Sequence, residues 1–281
     1  MQKQERAIFK TNSTIFFISS FFFPRGIRQD VFDLYSFVRV ADDYVDQVPA
    51  DADGFYCLRR MWDETITNPH YQTSRDETDS TDVRVIKNMI RVARKHHFDL
   101  SWIDAFMVSM QSDLVYKEYQ TIDETLHYIH GSAEVVGLMM ANIMGLTPEA
   151  AEASKLQGRA LQTINFIRDI HEDNHLGRQY FPAEELQQFN LPNLTRQTAH
   201  RQPQDFNSFM HFQLDRYDTW QAEAYTGYKY IPRRLRIALQ TSTDMYNWTA
   251  QQIRKNPMLI YDKKIKPSTT RVIWTALTNY I

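Results

Sequence analysis

The sequence is short of the residues that staple, kink or cradle. Its 281 residues include a single cysteine, Cys57, so an internal disulfide, a cysteine zinc site and a redox pair are all excluded, and a reducing compartment is expected. Only 8 glycines are present. None falls into G-x-G-x-x-G or G-x-x-x-x-G-K-[ST], so neither a dinucleotide fold nor a phosphate-binding loop is supported, and no NADPH is expected. Charge of one sign is missing too: 32 basic residues stand against 34 acidic ones, which leaves no field to attract nucleic acid. Long apolar runs are absent. The run 15–23, Ile-Phe-Phe-Ile-Ser-Ser-Phe-Phe-Phe, is too short to span a bilayer and lacks the small-residue cleavage pattern of a secretory leader. It reads as a helix buried in the domain. These absences predict a cytoplasmic protein, soluble or at most peripheral at a membrane.

Helical periodicity dominates what is present. Alternating strand-type runs do not occur and no composition break divides the chain, so the fold class is all-α, with residues 1–281 as a single domain. The spacing predicts helices over 13–22, 30–48, 55–68, 83–97, 102–119, 123–146, 209–226 and 233–254. Polar loops are expected over 73–82 and 193–207. Within 123–146, Gly131, Ser132, Ala133, Gly137, Ala141 and Asn142 are small residues that weaken a helix unless something approaches it closely. That something is either a bulky apolar ligand or a neighbouring helix. The 17 Phe and 15 Tyr serve core packing, or aromatic faces around a carbocation in a dry pocket.

Two acidic stripes carry the chemistry. On a helix turning about 100° per residue, Gln162, Asn165, Asp169 and Asp173 share one edge, while Leu161, Ile164, Ile167 and Ile170 form an apolar set that needs burial. Gly177 and Pro182 mark the end of that helix. Far earlier, Tyr35, Arg39, Asp42 and Asp46 share an edge in the same way. Carboxylate pairs at i, i+4 on two helices facing each other across a cavity would suit Mg²⁺ held jointly with phosphate oxygens. His171-Glu172-Asp173-Asn174-His175 also satisfies the H-E-x-x-H zinc signature, but its histidines point away from the Asp169/Asp173 edge and no third ligand is evident.

The motifs Tyr35-x-x-x-Arg39-x-x-Asp42-Asp43-x-x-Asp46, Gln162-x-x-Asn165-x-x-Arg168-Asp169-x-x-x-Asp173 and Gly177-Arg178-x-Tyr180-x-Pro182 resemble those of the squalene/phytoene synthases, trans-isoprenyl diphosphate synthases that join two prenyl chains head to head. The resemblance runs from Ser13 to about Lys263. It implies an isoprenoid synthase bundle around a central cavity, with prenyl diphosphates as substrates. Metal ligands carried over are Asp42, Asp46, Asp169, Asp173 and Asn165, for Mg²⁺ with Mn²⁺ as a substitute. Arg39, Arg168, Arg178 and Tyr180 match positions that hold or trigger diphosphate. Tyr35, Tyr128, Gln162, Tyr246, Ser13 and Phe16 match positions lining the site, and Lys263 stands near a diphosphate-binding arginine of the family. Three positions depart from the pattern: Ile15 replaces a hydroxyl residue, His130 a tyrosine, and Glu134 a small neutral residue.

By this resemblance the expected reaction makes phytoene from two geranylgeranyl diphosphates through a cyclopropylcarbinyl diphosphate, ended by proton loss because no nicotinamide site is detected. The alternatives are squalene or dehydrosqualene synthesis from farnesyl diphosphate, and a non-catalytic assembly factor of the same fold. A lipid-soluble product would bring the protein against a membrane surface, although no amphipathic anchor stands out in the sequence.

Overall fold

The structure, a computed structural model, describes residues 14–280 except 69, 75 and 77; the side chains of residues 14, 16 and 17 are outside that description. Among the described residues there is no strand. The helices are α1 (Thr14–Ser20), α2 (Arg25–Asp46), α3 (Ala52–Ile66), α4 (Thr81–Lys95), α5 (Leu100–Leu114), α6 (Ile122–Ile129), α7 (Val135–Ile143), α8 (Ala151–His175), α9 (Ala183–Gln188), α10 (Arg196–Arg201), α11 (Pro203–Tyr225), α12 (Arg233–Lys255), α13 (Leu259–Asp262) and α14 (Thr269–Tyr280).

Capping chemistry sets many of the starts. Asp51, Ser80, Asp99, Thr121 and Thr195 each accept a bond from a backbone N–H in the first turn of the helix they precede, satisfying a donor that the helix itself leaves orphaned. The long central helix α8 ends where the sequence said it should: Gly177 takes φ +70 and the Arg178 N–H returns to the Asp173 carbonyl at 2.9 Å.

Helix α8 is the axis of the molecule. Ile164, Ile167 and Ile170 on its apolar edge are at most 3 % exposed, and the helix packs against α7, α11, α12 and α13. Helix α2 lies against α3, α4 and α5, and α12 carries α1 and α14 on its outer side. Phe37, Phe55, Trp62 and Phe106 fill the space around α2; Phe37 meets Trp62 and Phe106 at ring-centroid distances of 5.7 and 5.8 Å.

Four expectations change. The pattern over 123–146 is not one regular helix: His130–Glu134 forms a wider π turn between α6 and α7. Gly131 sits there because a Cβ would stand 2.3 Å from the Ala105 carbonyl oxygen of α5, and an added residue in the turn accommodates that close approach. The polar segment 193–207 holds α10 and the start of α11; capping by Thr195 and Pro203 at the first position of α11 override its loop-like composition. The helix expected over 102–119 stops at Leu114, and α14 over Thr269–Tyr280 is a helix not anticipated.

Candidate active site

The polar stripes of α2 and α8 meet at one end of an apolar cavity of about 290 Å³. Its walls include Tyr35 and Val38 of α2, Gln162 and Asn165 of α8, Val136 and Met140 of α7, and Leu239 and Tyr246 of α12. Ser132, Ala133 and Gly137 line it as well, while a Cβ on Gly137 would lie 2.1 Å from the Ser154 carbonyl oxygen. The small residues of 131–142 thus serve both readings of the sequence: they hold helices close and shape a hollow. None of the three departures, Ile15, His130 or Glu134, is among the lining residues. Glu134 is buried and neutralised instead, accepting from Arg159 Nε at 2.6 Å and pairing with His130 Nδ1 at 3.0 Å.

The carboxylates gather beyond the cavity's polar rim. Arg178, itself buried, donates to Asp46 Oδ1 at 2.6 Å and to the Val45 carbonyl at 2.5 Å, tying the segment after α8 to the C-terminal end of α2. Arg39 spans Asp42, at 2.8 Å, and Asp43. Arg168 grips Asp169 with two donors at 2.8 and 2.5 Å. Asp173 is pushed up to about 8, first by burial and then by the negative charges of Asp169 and Asp46. Asp42 is raised for the same reasons, burial first and Asp46 next. Carboxylates of α2 and α8 therefore repel one another across the gap.

Aromatic hydroxyls close the other side. Tyr128 donates to Asp113 Oδ2 at 2.7 Å and Tyr180 to Asp113 Oδ1 at 3.0 Å. Phe166 stacks on Tyr180 with ring centroids 4.3 Å apart. Burial lifts the hydroxyls of Tyr35, Tyr128, Tyr180 and Tyr246 above their ordinary pKa, so each remains a protonated donor. Tyr246 lies against Arg168.

Two residues of this centre escaped the sequence reading. Asp113, pushed up to about 6 by burial against the pull of Arg178 and two tyrosine donors, follows Phe106 and Met110 on the buried face of α5. An acid at i+7 and i+3 on an apolar stripe was the available signal. Lys264 is the other: it reaches Asp169 at 3.6 Å and pairs with Glu172. Lys263, expected to bind diphosphate, is exposed; the neighbouring lysine is the one turned to the acids. Ser13 and the side chain of Phe16 lie outside the described residues.

Among the described residues no three His, Cys, Asp or Glu side chains come together tightly enough to hold an ion alone. Asn165 Oδ1 is buried with no hydrogen-bond donor, an acceptor that a cation or its water would satisfy. The H-E-x-x-H pattern holds no such site: His175 Nδ1 donates to the His171 carbonyl at 2.6 Å and Glu172 is paired with Lys264.

An all-helical fold with opposed acid stripes over an apolar hollow defines the class, the helical isoprenoid synthases. A dehydrosqualene synthase crystal structure superposes with a TM-score of 0.84 at 20 % identity, over 99 % of this chain and 94 % of that one. The family model described as "Squalene/phytoene synthase" matches residues 9–277, and the chain belongs to that family. It is 25 % identical to a 15-cis-phytoene synthase of Synechococcus elongatus over 271 residues, 91 % of this chain and 84 % of the relative. It is likewise 25 % identical to a presqualene diphosphate synthase of Zymomonas mobilis over 281 residues, 94 % and 88 % of the two chains. The protein is thus a prenyltransferase of the head-to-head type.

Proposed function

We propose that this chain condenses two geranylgeranyl diphosphates to phytoene, releasing two diphosphates. One observation supports the reading above all: burial, with the charges of Asp169 and of Asp46 on α2, pushes the Asp173 carboxyl of α8 up to about 8 beside a cavity whose walls are apolar. Mg²⁺ held by Asp42, Asp46, Asp169, Asp173 and Asn165 would neutralise the departing diphosphate. Arg39, Arg168 and Arg178 orient those carboxylates by their ion pairs, and Lys264 adds a cation beside Asp169.

The C–O bond of the first substrate breaks to an allylic cation with loss of diphosphate; the double bond of the second substrate attacks it, and loss of a proton from the resulting cation closes the ring of a cyclopropylcarbinyl diphosphate. Loss of that diphosphate, rearrangement to a linear 1-1′ skeleton and loss of one proton end the reaction. The chain's part is to exclude water and stabilise positive charge. Leu34, Val38, Val136, Met140 and Leu161 keep the prenyl chains dry, and the rings of Phe23, Tyr35, Tyr228 and Tyr246 in the same wall supply π density.

A substrate panel tests this. Farnesyl and geranylgeranyl diphosphates, each supplied with Mg²⁺ and with or without NADPH, are followed by product mass. A forty-carbon hydrocarbon from the longer substrate, unaffected by NADPH, is expected. Consumption of farnesyl diphosphate alone would move the assignment to a thirty-carbon product, and absence of diphosphate release from either would leave a non-catalytic member of the fold.

A further inference from the structure

The deep end of the apolar cavity is closed differently from its sides. Along α8 the lining runs from Asn165, one turn short of Asp169, back to Ala153, and a helix covers about 18 Å between two such positions. Most of the wall is apolar. Toward the deep end, however, four buried polar side chains meet: Gln157, Gln221, Tyr228 and Thr243, none more than 7 % exposed. Gln157 Nε2 donates to Gln221 Oε1 at 3.2 Å, and Gln221 Nε2 donates back to Gln157 Oε1 at 3.3 Å. The Tyr228 hydroxyl donates to Gln157 Oε1 at 3.2 Å and lies 2.7 Å from Thr243 Oγ1.

This cluster is a partition one side chain thick. Gln157 and Tyr228 line the apolar cavity, whereas Gln221 and Thr243 line a second hollow of about 500 Å³ on the outer side. That hollow is polar, with Gln240, Asn247 and Gln251 in its wall, and it opens to solvent beside the exposed Tyr225. Tyr225 backs the partition: its ring centre is 4.6 Å from that of Tyr228. Gly227 lets the turn between α11 and α12 sit this close to α8, since a Cβ there would stand 2.2 Å from the Cβ of Ala153. The Tyr228 ring is therefore held at its hydroxyl, from behind, and through the turn that carries it. An apolar chain pushed past it would leave buried amides without partners.

We propose that Tyr228, braced by Gln157, Gln221 and Thr243, is the floor of the cavity and limits the prenyl chain to four isoprene units. Length decides the matter. At roughly 1.25 Å of advance per carbon–carbon bond, an extended chain of four units reaches about 19 Å and one of five about 24 Å. The depth along α8 matches the former and stops the latter about one unit short. Room for that unit lies behind the floor, in the outer hollow. The proposal deepens the head-to-head reaction above by naming what measures its substrate, and it rests on that reading for the identity of the chain.

Binding of slowly ionising analogues tests the floor without turnover. Geranylgeranyl and geranylfarnesyl thiodiphosphates, of four and five units with sulfur in place of the bridging oxygen, are titrated into the full chain with Mg²⁺ and followed by calorimetry. The parent is expected to bind the longer analogue at least about thirtyfold more weakly. In Tyr228→Ala that ratio should fall to about threefold or less, because the chain end gains the outer hollow. Gln221→Ala removes a brace from outside the cavity and leaves the ring in place, so it keeps the test open where the larger truncation fails to fold; it should relax the ratio by about fivefold. Equal affinity of the parent for both analogues, or an unchanged ratio in either folded variant, would overturn the assignment. A chain that ionises no prenyl diphosphate yet ranks the analogues in this way would fail the proposed reaction and keep the floor. Phytoene formation with equal binding of both analogues would keep the reaction and fail the floor.

Discussion

Helix α2 carries two acidic pairs, and they meet opposite fates. Asp30 and Asp33, in its first half, are 1 % and 0 % exposed, yet every charge is answered. Arg91 bridges both at 2.8 and 2.5 Å, Lys95 and His96 reach Asp30 at 2.6 and 2.8 Å, and Gln29 donates to Asp33. Burial alone would raise the Asp30 pKa, but these three partners outweigh it and hold the carboxyl below its ordinary value. Asp42 and Asp46, three turns on, are less buried, with 35 % and 37 % of their side chains exposed. Asp42 is nonetheless raised. The second pair also ends its helix, where the backbone dipole is negative and no basic residue sits in the last turn. Asp169 and Asp173 repeat that placement near the end of α8. The first pair is compensated internally and belongs to the scaffold; the second is left short of positive charge, as a site for an outside cation must be.

The sharpest division should come from removing charge at each end. Asp42→Asn or Asp169→Asn should lower turnover by on the order of 10³-fold or more with the fold intact, since a charged ligand for the leaving group's counter-ion is lost. Steady-state kinetics beside a thermal melt checks both halves. Arg91→Ala should do the reverse, costing about 3 kcal/mol of stability because two buried carboxylates lose their shared partner, while the specific activity of the fraction that stays folded holds. Denaturant unfolding measures the cost; a loss under about 1 kcal/mol would mean Lys95 and His96 suffice.

Acidity distinguishes the pairs more gently. Asp173 titrates at about 8 in the folded chain against 3.8 for the free side chain, so between those values the folded state binds more protons than the unfolded one. Without metal, stability should therefore fall as pH rises from about 4 to about 8, and Mg²⁺ should restore it at the upper end. Melting temperatures across that range, with chelator and with Mg²⁺, test it; Asp173→Asn should flatten the slope. The smallest effect expected is at the rim. Lys264→Ala should raise KM by roughly tenfold through loss of one exposed charge on diphosphate, whereas Lys263→Ala should leave it unchanged.

The stripes on α2 and α8 were legible because both are long helices whose buried isoleucines, phenylalanines and valines fix the outward edge. Helix type and the stop at Gly177 followed from the same periodicity, whereas the central cavity was implied by the resemblance, the small residues of 123–146 leaving close helix packing open as well. Tertiary contacts were not legible. Asp113 lies on a third helix, and only folding brings it under Tyr128 and Tyr180. Lys263 and Lys264 differ by one place in a segment without regular periodicity, so spacing could not say which of them faces Asp169. Helix α14 went unseen because Thr269, Thr270, Thr275 and Thr278 mask its apolar stripe in composition, although its geometry shows it plainly.

The five-residue turn at His130–Glu134 carries a consequence for how such a chain can change. A regular helix advances about 100° per residue and the wide coil less, so excision of one residue from that coil would let α6 run straight into α7 with the side chains downstream close to their present directions. Val136, Gly137 and Met140 would stay in the lining, while Ser132 and Ala133, which belong to the turn itself, would be rearranged. A single lost codon could re-cut that one stretch of the mould in which the prenyl chains lie, without touching one acid of the ionising centre.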